Sequence, residues 1–397
     1  MATSRRRFLT RTTAAAAMPA LAGPLPAAGS RTGTAAPVYE KLGLKPVINA
    51  MGTVTILGGS VMHPEVLEAM NQAAQHYVYL PDLQVKAGEY LARLIGVPAC
   101  MISCGAASAI TCGTAACVTL GDQAKLSRLP NTAGMKNEIV IQKAHRCGYE
   151  AQMELVGTRF VWVETREELD RAINQNTAMM FYLNKNEPDG HIKRDEWVRV
   201  ARERGVPTLN DAAADVPPAS RLKSYVVDEG FDLVVFSGGK GLFGPQGTGL
   251  LLGRPDLIAA AQKAISPFGG IGRGMKVGKE EIAGVVAAVE RYLKADHPAE
   301  RRLLDRRAAE VLAALQGLAG VEARKHVPEI ANNVPHVVVE WNNAGGKPSP
   351  AEALQKLREG DPPIYVGGGK ESLTISMWTL RGDEHKLVAR RIREILG

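Results

Sequence analysis

No aspartate or glutamate occurs before Glu40, while arginines stand at 5, 6, 7 and 11. Also missing is any apolar run of the roughly 20 residues that a membrane-spanning helix needs. The Ala-rich Thr12 to Ala22 is the nearest approach and falls short, which excludes stable membrane insertion. The five cysteines, at 100, 104, 112, 117 and 147, form no CxxC pair and have no histidine partners at zinc spacing. That excludes a metal site of this kind. The odd number argues against a complete disulfide framework, so they read as small buried residues. No internal repeat is present, which sets aside repeat architectures. The formal net charge is +7. Removing the four leading arginines leaves 7 − 4 = +3, too little for a nucleic-acid partner.

What is present begins with Ser4-Arg5-Arg6-Arg7-Phe8-Leu9 and the mild Ala-rich stretch behind it. Paired arginines followed by a short apolar segment read as a twin-arginine export signal over residues 1–30. Cleavage is expected after Ala20-Leu21-Ala22 or near Ala28. The expected location is periplasmic or otherwise exported, with the twin-arginine machinery as partner. The remaining length suits two or three units at roughly 150 residues each.

Seven apolar runs are expected as strands: 101–104, 138–142, 160–163, 178–183, 208–209, 233–236 and 248–252. Helical patterns alternate with them, over 106–119, 148–156, 166–173 and 194–204, which predicts an α/β fold with a mostly parallel sheet. Two earlier helices, 64–76 and 83–95, lead into it. One long helical pattern follows Lys276 and runs to about Leu318. Strands at 334–339, 364–366 and 373–376 and a last helix over 384–396 complete a smaller α+β unit. The expected division is an opening segment 31–63, a large domain 64–274 and a small domain 275–397. The Gly/Pro-rich 266–274 reads as a hinge or active-site loop.

Ligands of open α/β sheets sit beyond the carboxyl ends of the strands. Standing there are Ser103-Cys104-Gly105-Ala106-Ala107, then His145, Asp211, Ser237 and Lys240. Lys240 lies in Phe231–Leu252, FDLVVFSGGKGLFGPQGTGLLL, between two buried-looking strands and among glycines. Apolar surroundings lower a lysine pKa and make the amine a nucleophile. The glycines leave room for a flat ring. Pyridoxal phosphate (PLP) needs such a Schiff-base lysine and an acid to keep its ring nitrogen protonated. Asp211, followed by two alanines, suits that acid. Gly105, Ala106 and Ala107 offer backbone N–H groups to a phosphate at a helix start. Ser237 could add a hydroxyl and His145 could stack on the ring. The structural alternatives are a helix cap at Asp211, a satisfied core imidazole at His145 and an ordinary strand–helix turn at Gly105. Asp215 is a competing acid and must face elsewhere if Asp211 reaches the ring.

Phe236-Ser237-Gly238-Gly239-Lys240, Gly244-Pro245-Gln246-Gly247 and Pro46-Val47-Ile48-Asn49-Ala50-Met51-Gly52-Thr53 resemble the bacterial selenocysteine synthase family of fold-type-I PLP enzymes. The resemblance runs from about Tyr39 to the C-terminus. It implies a large domain with a seven-stranded, mostly parallel sheet and a smaller C-terminal α+β domain. It also implies Lys240 as the cofactor-bearing catalytic lysine, Asp211 as ring-nitrogen partner, His145 as stacking residue and Gly105 to Ala107 as phosphate turn. The chain departs from selenocysteine synthase in leaving no room for its tRNA-handling N-terminal domain. In layout it is nearer the D-glucosaminate-6-phosphate ammonia-lyase-like members, which eliminate across Cα–Cβ. The implied activity is therefore a lyase acting on a small amine, an amino acid or amino-sugar acid, with release of ammonia and a keto acid. The alternatives are an aminotransferase, a selenium or sulfur transferase, a racemase, or a PLP-binding protein without turnover. Arg381 and Arg273 are the candidates to hold a substrate carboxylate. A homodimer or larger homo-oligomer is expected.

Overall fold

A computed structural model describes residues 36–342 and 346–397. The expected export signal lies outside the described residues. Among those residues no helix is long and apolar enough to cross a membrane.

The chain builds two sheets. Strand β1 (Ile48–Ala50) precedes the larger one, which contains β2 (Ala99–Ser103), β3 (Glu138–Gln142), β4 (Arg159–Val163), β5 (Thr177–Leu183), β6 (Thr208–Asp211), β7 (Leu233–Ser237) and β8 (Gly249–Gly253). Its order is β2-β8-β7-β6-β5-β3-β4. Only β8 runs against its neighbours, pairing antiparallel with both β2 and β7. Every residue of β5, β7 and β8 is buried, as expected of strands covered on both faces. Alternate residues feed two separate cores. Met180, Tyr182, Val234 and Phe236 face one side, Met179, Phe181, Leu233 and Val235 the other.

The helices explain how the sheet is covered. Leu80–Ile95 starts with Pro81 and Asp82 and stops at Gly96, which takes the left-handed conformation that glycine adopts without strain. Its buried residues Gln84, Ala87, Gly88, Leu91, Ala92 and Ile95 recur at helical spacing. A β-carbon on Gly88 would lie 2.3 Å from the Cys100 carbonyl oxygen, so the helix sits hard against β2. The helix Gly105–Thr119 is buried from Ser108 to Thr119 and runs beneath the sheet.

The second sheet has the order β1-β11-β12-β10-β9, with β9 (Val321–His326), β10 (His336–Trp341), β11 (Ile364–Gly368) and β12 (Ser372–Ser376). Strand β1 joins it parallel to β11, Ile48 opposite Ile364. The opening segment thus gives a strand to the far sheet. The expected division at 274/275 differs from where the cores divide. The helix Lys279–Lys294 buries Ile282, Val285, Val289 and Tyr292 against the large sheet, and the core of the small sheet draws on Ile48, Ala50 and residues from Leu304 onward. The single helix expected beyond Lys276 is two helices, Lys279–Lys294 and His297–Leu315. The break comes at Asp296, whose carboxylate caps the second helix by accepting from the Ala299 N–H at 2.8 Å, with Pro298 in its first turn.

Candidate functional site

Two strand ends and one helix start meet at a cavity of about 250 Å³. Its lining includes Gly105, Ala106, Ala107, Asp211, Ser237 and Lys240. Six expected site residues are therefore brought together.

Lys240 is partly buried and directly follows the glycine pair after β7, and burial lowers its pKa. The negative charges of Asp211 and Asp215 oppose that shift more weakly. Asp211 ends β6 at 5% exposure, and burial raises its pKa. One carboxylate oxygen accepts from the Ala213 N–H at 3.0 Å. Asp215 does face elsewhere: it accepts from the Asn184 amide and from the Tyr225 hydroxyl at 3.0 Å, and burial pushes it up to about 6.

The helix that starts at Gly105 has no side-chain cap at Cys104. Its first-turn N–H groups have no partner within the helix, and they carry the positive end of its dipole. Gly249 of β8 passes just behind. A β-carbon there would sit 2.5 Å from the Gly105 carbonyl carbon and 2.7 Å from the Ala106 nitrogen. Glycine at 249 lets the strand back this turn so closely, and Gly105 itself has φ +87°. The lysine loop is braced by residues 55–60: Ser60 Oγ donates to the Gly239 carbonyl at 3.0 Å, and Gln246 Nε2 to the Thr55 carbonyl at 2.9 Å.

Three expected residues lie elsewhere. His145 is wholly buried and does not line the cavity. Its Nδ1 accepts from the Leu183 N–H at 3.2 Å, and its ring stands edge-on to Tyr182 at 4.3 Å. A β-carbon on Gly190 would lie 2.8 Å from its Nε2, so the ring is walled in, and burial lowers its pKa to about 4. His145 is thus packed as a core imidazole, and the aromatic ring that lines the cavity is Tyr149, four residues further on. Arg273 is exposed on the 266–274 loop, its N–H turned onto the Gly270 carbonyl. Arg381 is exposed beside Glu384, which accepts from its N–H at 2.8 Å, and it lines a different, larger cavity. Sequence reasoning missed Thr53, Thr55, Tyr149 and Gln246, which also line it. Among the described residues no cluster of His, Cys, Asp or Glu could hold a metal ion.

The cavity fits pyridoxal phosphate on its own chemistry: an amine shifted toward neutrality, a buried acid and an uncapped helix start backed by glycine. Fold and site define a fold-type-I PLP-dependent enzyme. The comparisons with known proteins agree. The Aminotransferase class-V family matches residues 133–277. The 5'-C-glycyluridine monooxygenase-decarboxylase of Streptomyces sp is 34% identical over 94% of this chain and 95% of its own. The D-glucosaminate-6-phosphate ammonia lyase of Salmonella typhimurium is 32% identical over 90% of this chain and 97% of its own. A solved D-glucosaminate-6-phosphate ammonia-lyase structure superimposes with TM-score 0.76 at 31% identity, covering 90% of this chain and 98% of that one. L-seryl-tRNA(Sec) selenium transferases match too, one of them over 48% of this chain. The chain belongs to the selenocysteine synthase-like family of PLP enzymes, with the ammonia-lyase-like members among its relatives.

Proposed function

We propose that the enzyme is a carbon–nitrogen lyase that removes the proton next to an amino group, expels a group from the neighbouring carbon and releases ammonia and a keto acid. The observation that carries this is the convergence of Lys240 and Asp211 on one buried cavity at an uncapped helix start. The ammonia-lyase relative over nearly the whole chain supports it. Bound PLP supplies a sink for the electron pair left when that proton departs. Lys240, shifted toward its neutral form by burial, takes the proton from Cα as general base. Asp211, buried at the cavity, would keep the ring nitrogen protonated. The first-turn N–H groups of Gly105 to Ala107, with the Ser237 hydroxyl, would hold the phosphate, a placement worth roughly 0.3–2 kcal/mol through the helix dipole alone.

The test is ammonia and keto-acid release across L- and D-amino acids and amino-sugar acids, with PLP and no amine acceptor. Release without an acceptor is expected, and Lys240→Ala should abolish both turnover and the visible absorbance of lysine-bound PLP. Activity that starts only on adding a keto acid would make the enzyme an aminotransferase. Export through the twin-arginine route is part of this reading, supported by Arg5-Arg6-Arg7-Phe8-Leu9. It favours a free amino acid or an unphosphorylated derivative as substrate, since phosphorylated sugar acids are scarce outside the cytoplasm.

A further inference from the structure

A second cavity, of about 790 Å³, opens between the two cores. Residues 49–60 run between it and the Lys240 cavity, and the two linings share only Gly59. Its size exceeds what a small amino acid needs, and nothing in the reaction above uses it.

Its walls are aromatic. Phe243 stands 5.9 Å from Trp378 and 5.3 Å from His63, ring centre to ring centre. Its charge is basic: Arg291, Arg301, Arg307 and Arg381 line it against Glu300 and Glu384. Both glutamates are already engaged, Glu300 with Arg291 at 3.5 Å and His297 at 3.3 Å, Glu384 with Arg381 at 3.5 Å. Arg307 is different. Its guanidinium donates to the Leu380 carbonyl at 2.7 Å and the Gly382 carbonyl at 3.4 Å. No carboxylate lies within ion-pair distance of it among the described residues. Carbonyls satisfy donors without neutralising a charge.

Two further groups point to a ligand. Tyr292 is 4% exposed, lines the cavity and has a hydroxyl with no hydrogen-bond partner. His297 packs on it at 4.5 Å, and its Nε2 is also buried without a partner. A buried polar group left unpaired costs about 1–3 kcal/mol, so such groups normally have a use. The Tyr292 hydroxyl can donate, and His297 Nε2 donates or accepts according to the ring's tautomer. Together they offer two hydrogen-bonding groups to a polar ring edge.

We propose that this cavity is a binding site for a small, flat organic anion. Its planar body lies against Trp378 and Phe243, its polar edge meets Tyr292 and His297, and its phosphate or carboxylate pairs with Arg307. The site is separate from the PLP cavity and its occupancy does not depend on which reaction the enzyme performs.

The test is calorimetric titration of the full chain loaded with PLP, so that the phosphate turn is already filled. The probes are 4-hydroxyphenyl phosphate, 4-hydroxybenzoate, inorganic phosphate and neutral benzyl alcohol. One of the two aromatic anions should bind at one site per chain, which one deciding between phosphate and carboxylate. Inorganic phosphate and benzyl alcohol should bind at least tenfold more weakly. Arg307→Gln should weaken the aromatic anion at least tenfold. Tyr292→Phe, which removes only a hydroxyl, should weaken it several-fold with an unchanged circular dichroism spectrum. No binding of either aromatic anion at millimolar concentration would overturn the proposal. So would equal binding of inorganic phosphate, or wild-type affinity in both variants.

Discussion

At the scale of single residues, burial decides protonation throughout the site. It lowers Lys240 and raises Asp211, and each partly offsets the other's shift through charge. His145 shows the same force where no chemistry is at stake. Its pKa falls from 6.5 to about 4 on folding. Between those values the unfolded chain binds a proton that the native ring refuses, so stability rises with pH through that window. The contribution is complete above 6.5 and is lost as pH falls toward 4. Going from pH 7 to pH 5 should cost about 2 kcal/mol from this group. Urea unfolding at the two pH values checks it: His145→Gln should lose correspondingly less than wild type, and an equal loss would discard this account. Lys240, Asp211, Ser237 and the Gly105 turn were legible because each stands at a strand end, where chain position alone fixes the edge. Chain position does not fix direction. The short turn Lys143–His145 swings the imidazole back under the sheet onto Tyr182, which no spacing announces.

At the scale of elements, the seven strands and the helix Arg194–Arg204 were readable because long buried runs and helical periods are strong signals. Strand β9 was not. Its residues Val-Glu-Ala-Arg-Lys-His form a charged, exposed edge, which protects a sheet from pairing further but hides the strand in the sequence. Strand β1 is only three residues long and pairs with a partner far along the chain. The close passage of β8 behind the Gly105 turn carries its own expectation. Gly249→Ala should push the turn away from the phosphate position and weaken PLP binding at least tenfold by absorbance titration. Gly247→Ala, where a β-carbon meets nothing within 4 Å, serves as the control and should bind normally.

At the scale of the whole molecule, residues 48–60 tie the large-sheet unit to the small-sheet unit. Residues 48–50 extend the far sheet, and residues 55–60 brace the lysine loop. The Thr379 hydroxyl donates to the Asn49 carbonyl at 2.7 Å, and the Asn332 N–H to the Ala214 carbonyl at 2.8 Å. The proposed export belongs to this scale because that route moves a folded chain. Replacing Arg5 and Arg6 with lysine should leave the protein in the cytoplasm by cell fractionation, while the purified variant keeps wild-type ammonia release. Unchanged export would remove the signal from the reading.

The pairing of β1 with β11 also sets an order of events on the ribosome. Ile364 follows Ile48 by 364 − 48 = 316 residues. The opening strand therefore emerges early and waits, without its partner, until almost the entire chain has been made. The brace on the lysine loop is anchored through that strand, so the vitamin-derived ring can be locked in place only after translation is nearly finished.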